Sequence, residues 1–271
     1  MFSVVIPLYN KELSVKNTIQ SVLDQTFQEF EIVIVNDGST DDSVTVVESF
    51  NDSRIRLIHQ KNQGVSAARN RGIEEAKYEW ICFLDADDLW KDNHLEEIVK
   101  MMKSYPDEKV FVTSFEYSSG RKMMGDPNQS EIYKINNFFT EYLKFKNLMW
   151  TSTVVIHKTC VQKSGMFNEK LSLGEDIDLW GRLSKIFSII KSNKVTAIYR
   201  DEAENRSNAG SYNMKKSFLS YLDFSKMNSK EEKRFFAFWV WHKLKRLYVN
   251  KDFKNVFYLL SKYGLNVIRY K

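Results

Sequence analysis

Several groups of polar residues in this 271-residue chain have the types and spacing to do chemistry. Asp85-Ala86-Asp87 follows the apolar run Trp80-Ile81-Cys82-Phe83-Leu84. Carboxylates two positions apart at a strand end can diverge, one towards a sugar hydroxyl and one towards a divalent ion. Mg2+ and Mn2+ prefer carboxylate oxygens together with phosphates and water. Asp37, within Asn36-Asp37-Gly38-Ser39-Thr40-Asp41, is a short acid in a tight turn, able to accept hydrogen bonds from a base imide or a ribose. Gly174-Glu175-Asp176-Ile177-Asp178 gathers acids ahead of a helix. Adjacent acids that differ in exposure can leave one as a general base. Asn62 to Gly72 combines small residues, which allow close helix packing, with Arg69, a fixed cation able to reach a diphosphate or to orient an acid.

Each group also has a plainer reading. Asp88 can cap the helix leading to Leu95, with Asp85 and Asp87 solvated near its first turn. Asp37 can serve an Asx-turn. The acids at 175–178 suit the positive end of a helix dipole. The arginines of the 62–72 segment can pair with surface acids. Taken singly, none of these groups decides between chemistry and structure.

The elements that must position them alternate. Short, continuously apolar strands are expected at Ser3–Pro7, Glu31–Asn36, Ile55–His59, Trp80–Leu84 and Lys109–Phe115. Helical spacing covers Leu13–Asp24, a segment from Asp42 or Ser43 to about Phe50, Val65–Ala76 and Leu95–Tyr105. Such alternation predicts an α/β fold with a mostly parallel sheet between helices. Ligands of these sheets sit outside the carboxyl ends of the strands, where Asp37 and Asp85–Asp88 fall. Further on, a loop from Gly120 gives way to a helix at about Ile135–Phe145. Thr153–His157 reads as a strand, Gly174–Ile186 as an acidic loop becoming a helix, and Val195–Tyr199 as a last strand. Arg200–Gly210 is polar and expected to be mobile, and Ser217–Tyr270 is mainly helical.

Composition bounds the alternatives. With 43% hydrophobic residues, 10 Gly and 3 Pro, the chain is neither disordered nor fibrous. Cys82 and Cys160 are its 2 cysteines, too few for a disulfide scaffold or a four-cysteine zinc site. No run approaches the roughly 20 apolar residues of a membrane span, and Met1–Tyr9 lacks the basic start of a signal peptide. The expected location is therefore cytoplasmic, with a peripheral position on the inner face of the cell membrane as a further option. Residues 212–271 carry 14 Lys+Arg against 4 Asp+Glu, a net +10 that leaves the preceding residues at −5. Two units are expected: a catalytic domain over 1–211 and a basic, aromatic helical extension over 212–271.

In combination the motifs are far more specific than singly. The order Ser3-Val4-Val5-Ile6-Pro7-Leu8-Tyr9-Asn10, Val35 to Asp41, Asn62 to Gly72, Leu84-Asp85-Ala86-Asp87-Asp88 and Gly174-Glu175-Asp176 strongly resembles the family 2 glycosyltransferases, over about residues 1–205. The resemblance implies a GT-A fold and an inverting, metal-dependent enzyme that uses a nucleotide sugar, by default UDP-linked. It implies that Pro7 to Tyr9 and Asp37 line the base and ribose pocket, that Asp85 holds ribose or donor sugar, and that Asp87 ligates Mn2+ or Mg2+ on the diphosphate. Arg69 and Trp150, with Thr151 and Ser152 beside the latter, complete the donor side. Asp176 is the implied general base, and Glu175 orients the acceptor or stands in as base. The acceptor would be a glycan or a lipid-linked saccharide of cell-surface polysaccharide synthesis.

The chain departs from the family pattern in two places. Asn36 stands where many relatives have Asp. Tyr199-Arg200 is followed by Asp201-Glu202-Ala203-Glu204-Asn205, with no His where relatives often carry one. Water, Asn205 or no further protein group then completes the metal shell. Two other functions compete. A sugar-phosphate nucleotidyltransferase would need a glycine-rich phosphate loop, and Ser3 to Glu12 holds no glycine. A catalytically degenerate nucleotide-binding scaffold would keep the pocket without turnover. Nucleic acid is not an expected partner, because no recognition motif accompanies the basic tail and the body is acidic. The helix around Phe235–Tyr248 can either lie on an anionic membrane surface or pack its aromatics on the body.

Overall fold

The computed structural model describes the whole chain except residues 122–130, 146–147, 205–212, 265 and 271. Its N-terminal part alternates β1 (Phe2–Leu8), α1 (Val15–Leu23), β2 (Phe30–Asp37), α2 (Ser43–Glu48), β3 (Ile55–Gln60), α3 (Val65–Glu75) and β4 (Trp80–Phe83). β1 pairs in parallel with both β2 and β4, and β2 with β3. All eight residues of β2 are buried, as a strand covered on both faces requires.

Alternation along β1 divides the interior. Val4 and Ile6 join Val15, Ile19 and Val22 of α1 on one side of the sheet. Val5 faces the other side with Ile73 of α3. α3 comes very close there: a Cβ on Gly72 would lie 2.3 Å from Val5 Cγ1. Glycine is what lets this helix reach the sheet, and that depth carries Arg69 under the strand ends.

Beyond β4 the sheet continues through strands distant in sequence. These are β5 (Leu89–Trp90), β6 (Val110–Tyr117), β7 (Ile132–Lys134), β8 (Val154–His157) and β9 (Ile189–Tyr199), with α4 (His94–Ser104), α5 (Phe138–Phe145), α6 (Lys158–Ser164) and α7 (Glu175–Leu183) between them. The order is β3-β2-β1-β4-β8-β6-β9-β5, with β7 also on β9. β8 runs antiparallel to β4 and β6, β6 pairs in parallel with β9, and β5 and β7 are antiparallel to β9. β5, β7 and α6 are additions to the sequence expectation, and the helix expected from Ile135 starts at Phe138. Short strands of this kind exist through their partner's edge, which local periodicity does not record.

The C-terminal part makes short 3-10 turns at Met214–Lys216, Phe218–Ser220 and Phe224–Lys226, then α8 (Lys230–Val249), α9 (Phe253–Tyr263) and α10 (Asn266–Arg269). Phe235 of α8 meets Phe139 and Tyr142 of α5, each with ring centroids 5.4 Å apart. One continuous apolar cluster holds Phe139, Leu179 and Trp180 together with Phe218, Phe235 and Val240. Of the polar stretch expected to be mobile, only residues up to Glu204 are described, and Asn205 lies outside the described residues. Among the described residues no helix is long and apolar enough to cross a membrane.

Candidate active site

The carboxyl ends of β1, β2 and β4, the end of β9 and the start of α7 surround a cavity of about 400 Å3. Pro7, Tyr9, Asp37, Arg69, Asp85, Asp87, Trp150, Glu175 and Asp176 all line it. Lys11, Asn62, Gly64, Ser172, Leu173 and Tyr199 are also on its wall. Segments between Pro7 and Tyr199, far apart in sequence, thus meet in one place.

The floor is held by short loops laced to one another. Asn10 adopts a left-handed backbone (φ 51°) and accepts a hydrogen bond from Thr40 N at 2.8 Å, while Lys11 N donates to Ser43 Oγ at 2.7 Å. Asp37 is buried; it accepts from Gln63 N, Gly64 N and Gln60 Nε2, each at 2.8 Å. The turn role and the wall position therefore coexist, because an ionised carboxylate has about four acceptor sites. Gly38 permits the approach: its φ is +74°, and a Cβ there would lie 3.0 Å from Asn62 N. Asn36 accepts from Ser39 N at 2.9 Å and contacts His59 Nδ1 at 3.2 Å, so it too shapes this turn.

Arg69 does not pair with surface acids. Its guanidinium is buried beneath the cavity, donating from Nη2 to Asp85 Oδ1 at 2.6 Å and from Nη1 to Glu175 Oε1 at 2.9 Å. The charges of Asp85 and Glu175 are thereby balanced from below. Asp176 differs. Its Oδ1 accepts from its neighbour's amide, Ile177 N, at 2.7 Å, and no cationic side chain among the described residues hydrogen-bonds to it. Burial, then the adjacent Glu175 charge, raise its pKa to about 7. Two neighbouring acids thus have distinct environments.

On the opposite wall Asp87 Oδ2 accepts from Lys11 Nζ at 2.7 Å. Lys11 also donates to the carbonyl oxygen of Glu204. Burial and the Asp85 charge raise the Asp87 pKa, with Lys11 opposing them. Lys11 belongs to no motif; its one signal in the sequence is a lysine directly after the strand-end motif Pro7-Leu8-Tyr9-Asn10.

Asp88 does not cap α4. It is turned inward and accepts from Ser152 Oγ at 2.5 Å, Trp150 Nε1 at 3.0 Å and Arg200 N at 3.2 Å. Burial is the main reason its pKa is raised. This carboxylate fixes Trp150, whose ring lies 4.3 Å from that of Tyr199. In the sequence Tyr199 stands out only as the end of a strand and part of a Tyr-Arg pair, yet it closes the wall.

Among the described residues no group of three or more His, Cys, Asp or Glu could hold a metal ion by itself. Asp87 on the cavity wall fits the other mode, in which one carboxylate joins substrate phosphates and waters around Mg2+ or Mn2+. The protein set is therefore suited to an ion that arrives with a diphosphate, with Lys11 sharing the same carboxylate.

The sheet, its flanking helices and the strand-end cavity together make a GT-A fold. The match to Staphylococcus aureus TarS 1-349 in complex with UDP-GlcNAc has a TM-score of 0.67 at 20% identity, covering 88% of this chain and 66% of that one. The mannosyltransferase PcManGT of Pyrobaculum calidifontis, in complex with GDP-Man and Mn2+, aligns with a TM-score of 0.56 at 16% identity, over 73% of this chain and 56% of that one. The chain belongs to glycosyl transferase family 2, whose model matches residues 3–169. Among curated relatives, an uncharacterized glycosyltransferase of Rickettsia felis is 33% identical over 77% of this chain. Glycosyltransferase GlyG of Streptococcus pneumoniae is 37% identical over 43% of it. The aligned part is 33% of the rickettsial protein's length and 40% of GlyG's, so this chain spans well under two thirds of these relatives.

Proposed function

We propose that the protein transfers a sugar from a nucleotide-sugar donor, by default a UDP sugar, to a saccharide acceptor, with inversion at the anomeric carbon. The acceptor is a glycan or lipid-linked saccharide of cell-surface polysaccharide synthesis, and the reaction runs on the cytoplasmic side. One observation carries the reading. Asp176 stands beside Glu175 in the cavity that also holds Asp37, Asp85 and Asp87, yet Arg69 pairs with Asp85 and Glu175 and not with Asp176.

In this reading Asp176 accepts the proton of the acceptor hydroxyl. The oxygen then attacks the anomeric carbon from the side opposite the nucleoside diphosphate, in a single displacement. Asp176 is suited to this because a base with a pKa near the working pH combines adequate basicity with availability. Arg69 keeps Asp85 and Glu175 in place for donor and acceptor hydroxyls. Asp37 fixes the 62–64 turn against which a nucleoside would rest, and Pro7 and Tyr9 flank it. Lys11 places a positive charge beside Asp87, where a leaving diphosphate gains negative charge. A divalent ion held by Asp87 would add Lewis-acid stabilisation of that same leaving group.

The test is direct. Asp176→Asn should abolish transfer, measured by nucleoside diphosphate release with acceptor present, while calorimetric donor affinity is retained. Asp87→Ala should weaken Mn2+-dependent donor binding. Full transfer by Asp176→Asn would remove the base assignment. Donor binding by the wild type with no turnover, not even slow hydrolysis, would favour the scaffold reading.

A further inference from the structure

α8 and α9 meet at a corner whose outer side is apolar. Tyr248 and Val249 at the end of α8 are 66% and 76% exposed, and Phe253, Phe257 and Leu260 of α9 are 58%, 78% and 45% exposed. Spacings of four and three put the last three on one face of α9. Leu259 and Tyr263 of the same helix are buried against the body. The Tyr248 and Phe253 rings are 6.0 Å apart, so the apolar ridge runs unbroken round the corner.

The ridge is bordered by cations. Lys245, Arg246, Lys251, Lys254 and Lys262 are all exposed. The single acid between 245 and 262, Asp252, is spent on α9: it accepts from Asn255 N at 3.2 Å and Asn255 Nδ2 at 2.7 Å. Lys251 sits at the apex with φ +58°, a left-handed position that helix ends usually give to glycine.

We propose that this corner is a docking surface for an anionic lipid bilayer. The aromatic ridge enters the boundary between headgroups and acyl chains, and the flanking cations meet the anionic headgroups. Charge complementarity selects this occupant. A second copy docked face to face would set the same cations against one another, whereas an anionic surface neutralises them. The inference rests on the corner alone and does not depend on the sugar-transfer reading.

Co-sedimentation of the full chain with phosphatidylglycerol/phosphatidylcholine vesicles tests it, with pure phosphatidylcholine vesicles as control. The wild type should bind the anionic vesicles and be released at about 0.5 M salt, where charges beyond a few ångströms are screened. Phe253→Ser combined with Phe257→Ser should weaken binding at least about tenfold, because two exposed anchors are lost. Lys251→Gly removes a charge and relaxes the backbone. It should weaken binding while the melting temperature holds or rises, which separates docking from folding. Failure of the wild type to bind anionic vesicles, or binding unaffected by these variants, overturns the proposal. So does lipid-free self-association, seen by sedimentation velocity, that the double variant abolishes; the surface would then belong to a second copy. Donor turnover without vesicles is measured on the same proteins. Its absence would count against sugar transfer and leave the vesicle result standing.

Discussion

Arg69 sets the charge balance of the cavity. Its side chain is 4% exposed and lies between Asp85 and Glu175. Breaking such a buried arrangement is costly because it strands charges away from water. Arg69→Ala should therefore cost about 3–5 kcal/mol, read from urea unfolding. Arg69→Lys should recover only part of that, since one ammonium cannot replace a planar fork that reaches two acids. Asp176 responds to pH in the other sense. Its native pKa of about 7 lies above the ordinary 3.8, so between these values the native state holds a proton that the unfolded chain has released. This contribution to stability is fully present below about pH 4 and is lost as pH rises towards about 7. Asp176→Asn keeps an acceptor for Ile177 N and removes the charge. It should melt higher than the wild type at about pH 8, with the advantage fading towards about pH 4. Transfer by the wild type should behave oppositely, kcat/KM climbing as Asp176 ionises and levelling above about pH 8.

At the scale of elements, α7 owes its position to the chain that follows the body. Gly174 has φ +75°, and a Cβ there would lie 2.1 Å from Phe218 Cδ1. Ser172 N donates to Lys216 O at 2.8 Å and Phe218 N to Leu173 O at 3.0 Å, so the 3-10 turns buttress the loop that carries Glu175 and Asp176. Gly174→Ala must strain the backbone and displace Phe218, at a cost of about 1–3 kcal/mol. Because the displaced element carries the proposed base, kcat should fall more than KM rises; steady-state kinetics on the folded variant decides it. Asp88 is the matching joint on the other wall, tying Trp150, Ser152 and the Arg200 backbone together. Asp88→Ala should lower the melting temperature and raise the KM for donor, as Trp150 loses its anchor.

For the whole molecule, the C-terminal extension and the body share one apolar interior. Phe218, Phe235, Ala237 and Val240 belong to the same cluster as Phe139, Leu179 and Trp180. We expect residues 1–211 alone to expose that cluster and to lack a cooperative thermal transition by calorimetry. A cooperative transition near that of the full chain would make 212–271 a separate unit. The extension then has two faces with different tasks: Phe235 and Phe236 complete the interior, while the α8–α9 corner stays outside.

Sequence alone determined the alternation of β1 to β4 with their helices, because continuous apolar runs and helical spacing are properties of neighbouring residues. It also determined that Asp37 and Asp85–Asp88 stand at strand ends, since turn residues interrupt the runs there. Tertiary structure alone decided how the acids are used. The Arg69–Glu175 pair joins residues 106 apart and the Lys11–Asp87 pair residues 76 apart, and no local pattern encodes which cation meets which acid. Likewise Asp88 turned inward to Trp150 rather than forward to α4, and β5 and β7 formed because β9 offered them an edge. Periodicity reports which face of an element is apolar; the partner of a buried charge is fixed only once several such faces have closed on one another and excluded water.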